Sequence, residues 1–222
     1  MASSSADVPN NNLEITVAGN TTNFVVLAAA QALGFDNALT TDRTITLTIN
    51  AGVQMTGTNG FQTGALQQNT TLAVINNGTI YGGDGATGSS GGNGGAGSTA
   101  VVYSTVTGGS ATHSWINNST INGGRGGGGS AGRALTFYDD GDSGGECLMP
   151  TNTGTAGAAG GFGGTGGTGS YSGASNATDI DECTLPSGFT PGTGGAGGAA
   201  IQWQGRTVSF TNNGSVSGSI IA

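Results

Sequence analysis

Three stretches of this chain repeat paired glycines with a period of three residues, and no other feature restricts the backbone as much. They are Gly91–Gly97 (GGNGGAG), Gly163–Gly169 (GGTGGTG) and Gly194–Ala199 (GGAGGA). An extended backbone with three residues per turn and about 3.1 Å rise is polyproline II geometry. With glycine at two of every three positions, two faces of such a helix accept a neighbouring backbone and the third carries a small residue outward. Each N–H and C=O must then find its partner on an adjacent helix. The pattern predicts a packed bundle of polyglycine II helices, with Gly95 and Gly167 against neighbouring backbones and Asn93 on a free face. Glycine occupies 47 of the 222 positions, and each one forfeits more backbone entropy on folding than any other residue. Collagen fits worse, because none of the four prolines falls within these runs. A flexible linker fits worse too: only 7% of residues are charged, and the runs alternate regularly with β-like segments.

The remaining sequence reads as mainly β with one short N-terminal helix. Leu13-Glu14-Ile15-Thr16-Val17 and Thr44–Ile49 alternate apolar and polar residues, the strand period, and Asn50-Ala51-Gly52 ends the second. Val25, Ala28, Ala29, Ala32 and Leu33 form one helical stripe, with Thr22 or Asn23 as its cap and Gly34 just past its end. From residue 66 the chain repeats itself. Val74-Ile75-Asn76-Asn77-Gly78-Thr79-Ile80 returns as Trp115-Ile116-Asn117-Asn118-Ser119-Thr120-Ile121 and as Phe210-Thr211-Asn212-Asn213-Gly214-Ser215-Val216. Each copy predicts a strand, an Asn-Asn-Gly/Ser turn that tolerates positive φ, and a short returning strand. A second motif follows each glycine-rich stretch: Ala100-Val101-Val102-Tyr103, Ala134-Leu135-Thr136-Phe137 and Ala200-Ile201-Gln202-Trp203. The expected organisation is an N-terminal attachment region over 1–70 (arm, short helix, strands) and a glycine-rich recognition domain over 71–222, in which short strands and Asn-Asn-Gly turns connect to the polyglycine II sandwich.

This order of elements resembles the glycine-rich receptor-recognition proteins of tailed phages, the tail-fibre tip adhesins. The resemblance runs from Val17-Ala18-Gly19-Asn20-Thr21-Thr22-Asn23-Phe24 and Thr46–Val53 through Asn76–Gly83 into the Gly-Gly-x runs, and it covers residues 13 to 222. It implies a polyglycine II sandwich whose loop tips bind outer-membrane proteins or surface glycans, in a virion tail fibre or tail tip with other fibre proteins as partners. Those tips vary within the family, so it carries no binding residue over.

Charge and residue chemistry narrow the function further. Twelve acids face four arginines with no lysine, for a formal net charge of −8. No basic stripe is available for nucleic acid. Met1–Pro9 has neither a basic nor an apolar region of a signal peptide, and no apolar stretch is long enough to span a bilayer; release by host lysis is the expectation. His113, the sole histidine, is expected on the surface or an edge strand, with no spacing that singles out a triad. No enzyme, cofactor or metal site is therefore predicted. Gly83-x-Gly85-x-x-Gly88 matches a dinucleotide fingerprint formally, but no amphipathic helix follows it.

Side chains able to specify a partner concentrate in the two longest non-repetitive segments. The candidates are Tyr138, Asp139, Asp140 and Asp142, then Tyr171, Asp179, Asp181, Glu182 and Phe189. The same segments repeat Glu-Cys-x-x-Pro at Cys147 and Cys183, where two readings stand: one disulfide, or two separate thiols in a reducing compartment. The acids there read as a solvated tip, a recognition surface or a calcium site without EF-hand spacing. Against the receptor-binding reading stands a virion structural protein without a receptor, such as a head decoration or fibre cap. An ice-binding protein is a third.

Overall fold

Alternation of apolar and polar residues fixes the first strands, and parallel stacking does the rest. The computed structural model describes residues 12–38, 41–89, 92–104, 111–130, 156–169 and 192–222. β1 (Asn12–Val17) buries Leu13, Ile15 and Val17, and β3 (Arg43–Ile49) buries Ile45, Leu47 and Ile49. β5 (Thr70–Asn76), β8 (His113–Asn117) and β11 (Val208–Asn212) continue the same sheet in the order β1-β3-β5-β8-β11, every pair parallel. Each strand passes through a corner into a second sheet. There β2 (Thr21–Val25), β4 (Gln54–Gln62), β6 (Thr79–Tyr81), β9 (Thr120–Asn122) and β12 (Ser215–Ser217) again pair in parallel. The result is a stack of five rungs, each a strand, a corner and a strand.

The Asn-Asn-Gly/Ser copies are thus three successive rungs and not hairpins, and this corrects the expectation of a returning strand paired with its own partner. β6 pairs with β4 and β9, never with β5. The three Asn-Asn-Gly/Ser corners also lack the expected positive φ. Among the described non-glycine residues only Asn23 and Gln204 adopt it. Gly78 is required for a different reason: a Cβ there would sit 2.6 Å from the Val53 carbonyl oxygen of the rung beneath.

What holds the corners is a pair of amide ladders. Asn76 Nδ2 donates to Asn117 Oδ1 at 2.8 Å, and Asn117 Nδ2 donates to Asn212 Oδ1 at 2.8 Å. Each of these side chains also accepts from its own turn, as when Gly78 N–H donates to Asn76 Oδ1 at 3.1 Å. One residue on, an exposed ladder runs the other way: Asn213 Nδ2 donates to Asn118 Oδ1 and Asn118 Nδ2 to Asn77 Oδ1, both at 2.9 Å. Asn76 and Asn117 are fully buried, where a polar group left without partners would cost about 1–3 kcal/mol. The ladder satisfies them only if the copies stack in register.

The interior column Ile15–Leu47–Val74–Trp115–Phe210 is aliphatic in the first three rungs and aromatic in the last two. Phe61 meets Trp115 edge-on at 4.9 Å, and Tyr103 and Trp203 complete the aromatic cluster. Tyr103 and Trp203 belong to the second repeated motif, whose strands β7 (Val101–Val102) and β10 (Ile201–Gln202) pair in parallel and join β13 (Ile220–Ile221) at the sheet edge. The copy at Ala134–Phe137 lies outside the described residues.

Helix α1 (Val26–Ala32) is shorter than expected and turned relative to the predicted stripe. Pairing of β2 with β4 extends to Val25, so Thr22 and Asn23 are strand residues and no side chain caps the helix. Val26 and Ala30 face the core, while Leu33 is 59% exposed. Gly34 has φ of +87°, as its position past the helix end requires.

Two excursions leave this stack at the same place in successive rungs, between β6 and β7 and between β9 and β10; the equivalent connection after β12 is only Gly218-Ser219. The excursions, Gly83–Ser98 and Gly123–Gly198, make a second compact unit. Its described segments have neither helix nor strand pairing. They bond to one another through backbone groups at steps of three: Gly124, Gly127 and Ser130 N–H donate to Ser98, Gly95 and Gly92 carbonyls, at 2.9 to 3.1 Å. Gly195 and Gly198 donate in turn to Gly127 and Gly124 at 2.8 Å.

The tightest glycines are not those expected. A Cβ on Gly95 would lie 3.0 Å from Ala86 N and one on Gly167 3.3 Å from Ala158 N, contacts that small shifts relieve. One on Gly94, Gly127 or Gly166 would overlap a neighbouring carbonyl oxygen outright. Asn93 is not idle either, since its Oδ1 accepts from Thr193 N–H at 3.0 Å. In the first two runs, then, the first glycine of the pair faces the closest backbone, whereas in the third both Gly197 and Gly198 do. Gly127→Ala is expected to cost roughly 3 kcal/mol or more, or to prevent folding. Gly161→Ala, which meets nothing within 4 Å, should stay within about 0.5 kcal/mol of wild type; urea unfolding of both variants checks the pair.

Candidate recognition surface

The glycine unit sorts its ends. At one end Ser130 N–H donates to Gly92 O, Gly192 N–H to Ser130 O and Gly169 N–H to Gly192 O, each at 3.1 Å. Gly157 N–H donates to Gly129 O at 2.9 Å nearby, and Gly92 N–H donates to Ser89 O at 2.8 Å. At the other end Ser98 N–H donates to Gly83 O, and Gly163 N–H to Gly123 O, at 2.7 and 2.9 Å. Segments 131–155 and 170–191 therefore both leave and rejoin the described chain at the Ser130 end, beside the Ser89–Gly92 bond. The candidates Tyr138, Asp139, Asp140, Asp142, Tyr171, Asp179, Asp181, Glu182 and Phe189, with Cys147 and Cys183, lie in these segments and outside the described residues.

The opposite end carries a cluster that sequence reading missed. Arg125 N–H donates to Asp84 Oδ1 at 2.9 Å, and its guanidinium lies 3.9 Å from Asp84 Oδ2 and 4.2 Å from the centre of the Phe162 ring. Both charged side chains are about half exposed, so the ion pair itself contributes little. The backbone bond and the ring contact fix the side chain. No spacing in the sequence pairs Asp84 with Arg125, because residues 41 apart meet only once two excursions lie side by side.

The chemistry available elsewhere is limited. His113 is buried on the interior strand β8, not on an edge or the surface, which overturns the expectation for it. It takes a place that Leu13, Ile45, Leu72 and Val208 hold in the other rungs. Its Nδ1 accepts from Leu72 N–H at 3.1 Å, so the neutral ring carries its proton on Nε2. Burial, and then the nearby Arg206 guanidinium, push its pKa down to about 4. Among the described residues, no carboxylate bonds to this ring. Tyr103, stacked edge-on against His113 at 5.5 Å, has its pKa raised by the same burial. Gly85 and Gly88 of the apparent dinucleotide fingerprint donate their N–H groups to Arg125 O and Gly128 O, leaving none to cradle phosphate. Among the described residues, no three His, Cys, Asp or Glu side chains are grouped to hold a metal ion.

Compared with known proteins, residues 12–221 match the family described as phage tail fibre adhesin Gp38. The chain belongs to that family. No curated protein and no solved structure matches it. Membership makes the protein a tail-fibre adhesin of the virion tail, whose role is attachment to a host surface. The match spans both the rung stack and the glycine excursions.

Acid should expose the cost of burying His113. Above about pH 6.5 both folded and unfolded states hold it neutral, and its contribution is constant. Below that the unfolded chain takes a proton that the folded chain refuses until about pH 4. Stability is therefore lost as pH falls through this window, at a slope approaching about 1.4 kcal/mol per pH unit from this group. Urea unfolding of wild type and His113→Gln at pH 7, 6 and 5 should show the variant's stability falling less steeply. Parallel curves would show that the histidine does not titrate in this window.

Proposed function

We propose that the adhesin is a non-enzymatic receptor-binding protein at the tail-fibre tip, recognising an outer-membrane protein or surface glycan through loops on a polyglycine II sandwich. In this reading residues 1–70 attach the chain to its fibre and residues 71–222 carry recognition, with the protein released by host lysis. The observation that carries it is the common end at which 131–155 and 170–191 leave the glycine unit, marked by the bonds among Gly92, Ser130, Gly169 and Gly192. Recognition needs aromatic anchors and directed polar groups. Tyr138, Asp139, Asp140, Asp142, Tyr171, Asp179, Asp181, Glu182 and Phe189 supply them, and glycine segments cannot. The three-residue step of the backbone bonds supports the polyglycine II assignment, and their density supports a rigid base for variable loops.

Exchange of residues 138–152 and 171–191 for those of a related adhesin tests this reading. Purified wild-type protein should compete with phage for adsorption to the host. The exchanged protein should lose that competition and gain it on the other host, with Tm within a few degrees. Undiminished competition on the original host places recognition outside these segments; no competition by the wild type favours a structural role without a receptor.

A further inference from the structure

Among the described residues, the last rung of the stack is open: β11, β12 and β13 each pair on one side only. On the β1 side the inward residues Leu13, Ile15 and Val17 are at most 8% exposed, whereas Ile220 and Ile221 at the other edge are 46% and 44% exposed. Val208, Phe210 and Val216, whose counterparts in the three preceding rungs are fully covered, are only partly buried.

Polarity at the corner says what fits there. The inner amide ladder donates toward the last rung, from Asn76 to Asn117 to Asn212, so it ends on the Asn212 Nδ2 donor. The exposed ladder donates the other way, from Asn213 to Asn118 to Asn77, so it ends on the Asn213 Oδ1 acceptor. The edge thus presents a donor and an acceptor on adjacent residues. Two consecutive Asn side chains on a parallel strand answer both, as Asn117-Asn118 answers Asn76-Asn77.

Backbone groups agree. His113 N–H donates to Thr207 O and Asn213 N–H to Asn117 O. By the even alternation of a parallel ladder, the amides of Ser209 and Thr211 also face β8, and those of Val208, Phe210 and Asn212 face outward. From this we infer that the open rung is a docking edge for an extended segment of a partner polypeptide. That segment runs parallel to β11, turns through two consecutive asparagines and continues beside β12. It covers Phe210 and Val216 as each earlier rung covers its neighbour. A two-fold-related copy of the chain fits less well: it would set the five residues of β11 against the three of β12, leaving part of both edges open. This contact is separate from receptor recognition, since it uses only the rung stack.

The probe is a synthetic peptide of residues 208–217, VSFTNNGSVS, added in excess to the full-length protein. Amide exchange is read at Phe210 and Asn212. The expected result is about tenfold slower exchange at both amides with the peptide. A peptide carrying Asn212→Ala and Asn213→Ala should give no slowing. Because the substitutions are in the peptide, misfolding of the protein cannot mimic the loss. The inference is overturned if neither peptide slows exchange or if both do so equally. It is also overturned if the two amides become protected with rising protein concentration alone, which would make a second copy the occupant.

Discussion

No side chain fits between the Gly127 Cα and the carbonyl oxygen of Ala86, and the same holds at Gly94, Gly97, Gly124, Gly126, Gly166, Gly195 and Gly198 against their own neighbours. That close approach lets each segment of the glycine unit reach the backbone donors and acceptors of the next. An apolar core is not what holds these segments: they offer almost no side chains to bury, so backbone bonding must offset the large entropic cost of ordering glycine. Where a side chain does appear it points to a specific use, as when Asn93 accepts from Thr193 N–H.

The rung stack follows the opposite logic. Its interior is apolar and aromatic, and its polar groups are few but directed. Asn117 receives from the rung before, donates to the rung after and accepts from Ser119 N–H in its own turn. A slip of one residue in any strand would bury threonines and leave these amides without partners. The repeat therefore encodes register as well as shape.

Much of this was legible in the sequence. Alternation in Leu13–Val17 and Thr44–Ile49 gave the correct inward faces, and the threefold Asn-Asn motif marked equivalent positions. Sequence alone did not show that equivalent positions stack in parallel. A strand–turn–strand segment fits a hairpin as well as a rung, and only the bonding of β6 to β4 and β9 decides between them. The helix phase was missed because Val25 is held in β2 by its pairing with Gln62, a contact distant in sequence. His113 was misplaced because a lone histidine is usually exposed, whereas here the Leu72 N–H gives it a buried partner. For the glycine runs the period was readable, but not which member of each pair meets its neighbour, since that depends on how the segments are rotated against one another. The recognition candidates were chosen by composition, and what the fold adds is the common end from which their segments depart.

The central claim is that backbone bonds between glycine segments make a rigid base for those loops, and residue-resolved amide exchange by NMR tests it most directly. The account predicts slow exchange, close to that of the strand interiors, for Gly85, Gly94, Gly97, Gly124, Gly127, Gly195 and Gly198, whose N–H groups all donate to neighbouring segments. Exchange of these seven amides at the rate of an unstructured peptide, while β3 and β5 remain protected, would contradict it.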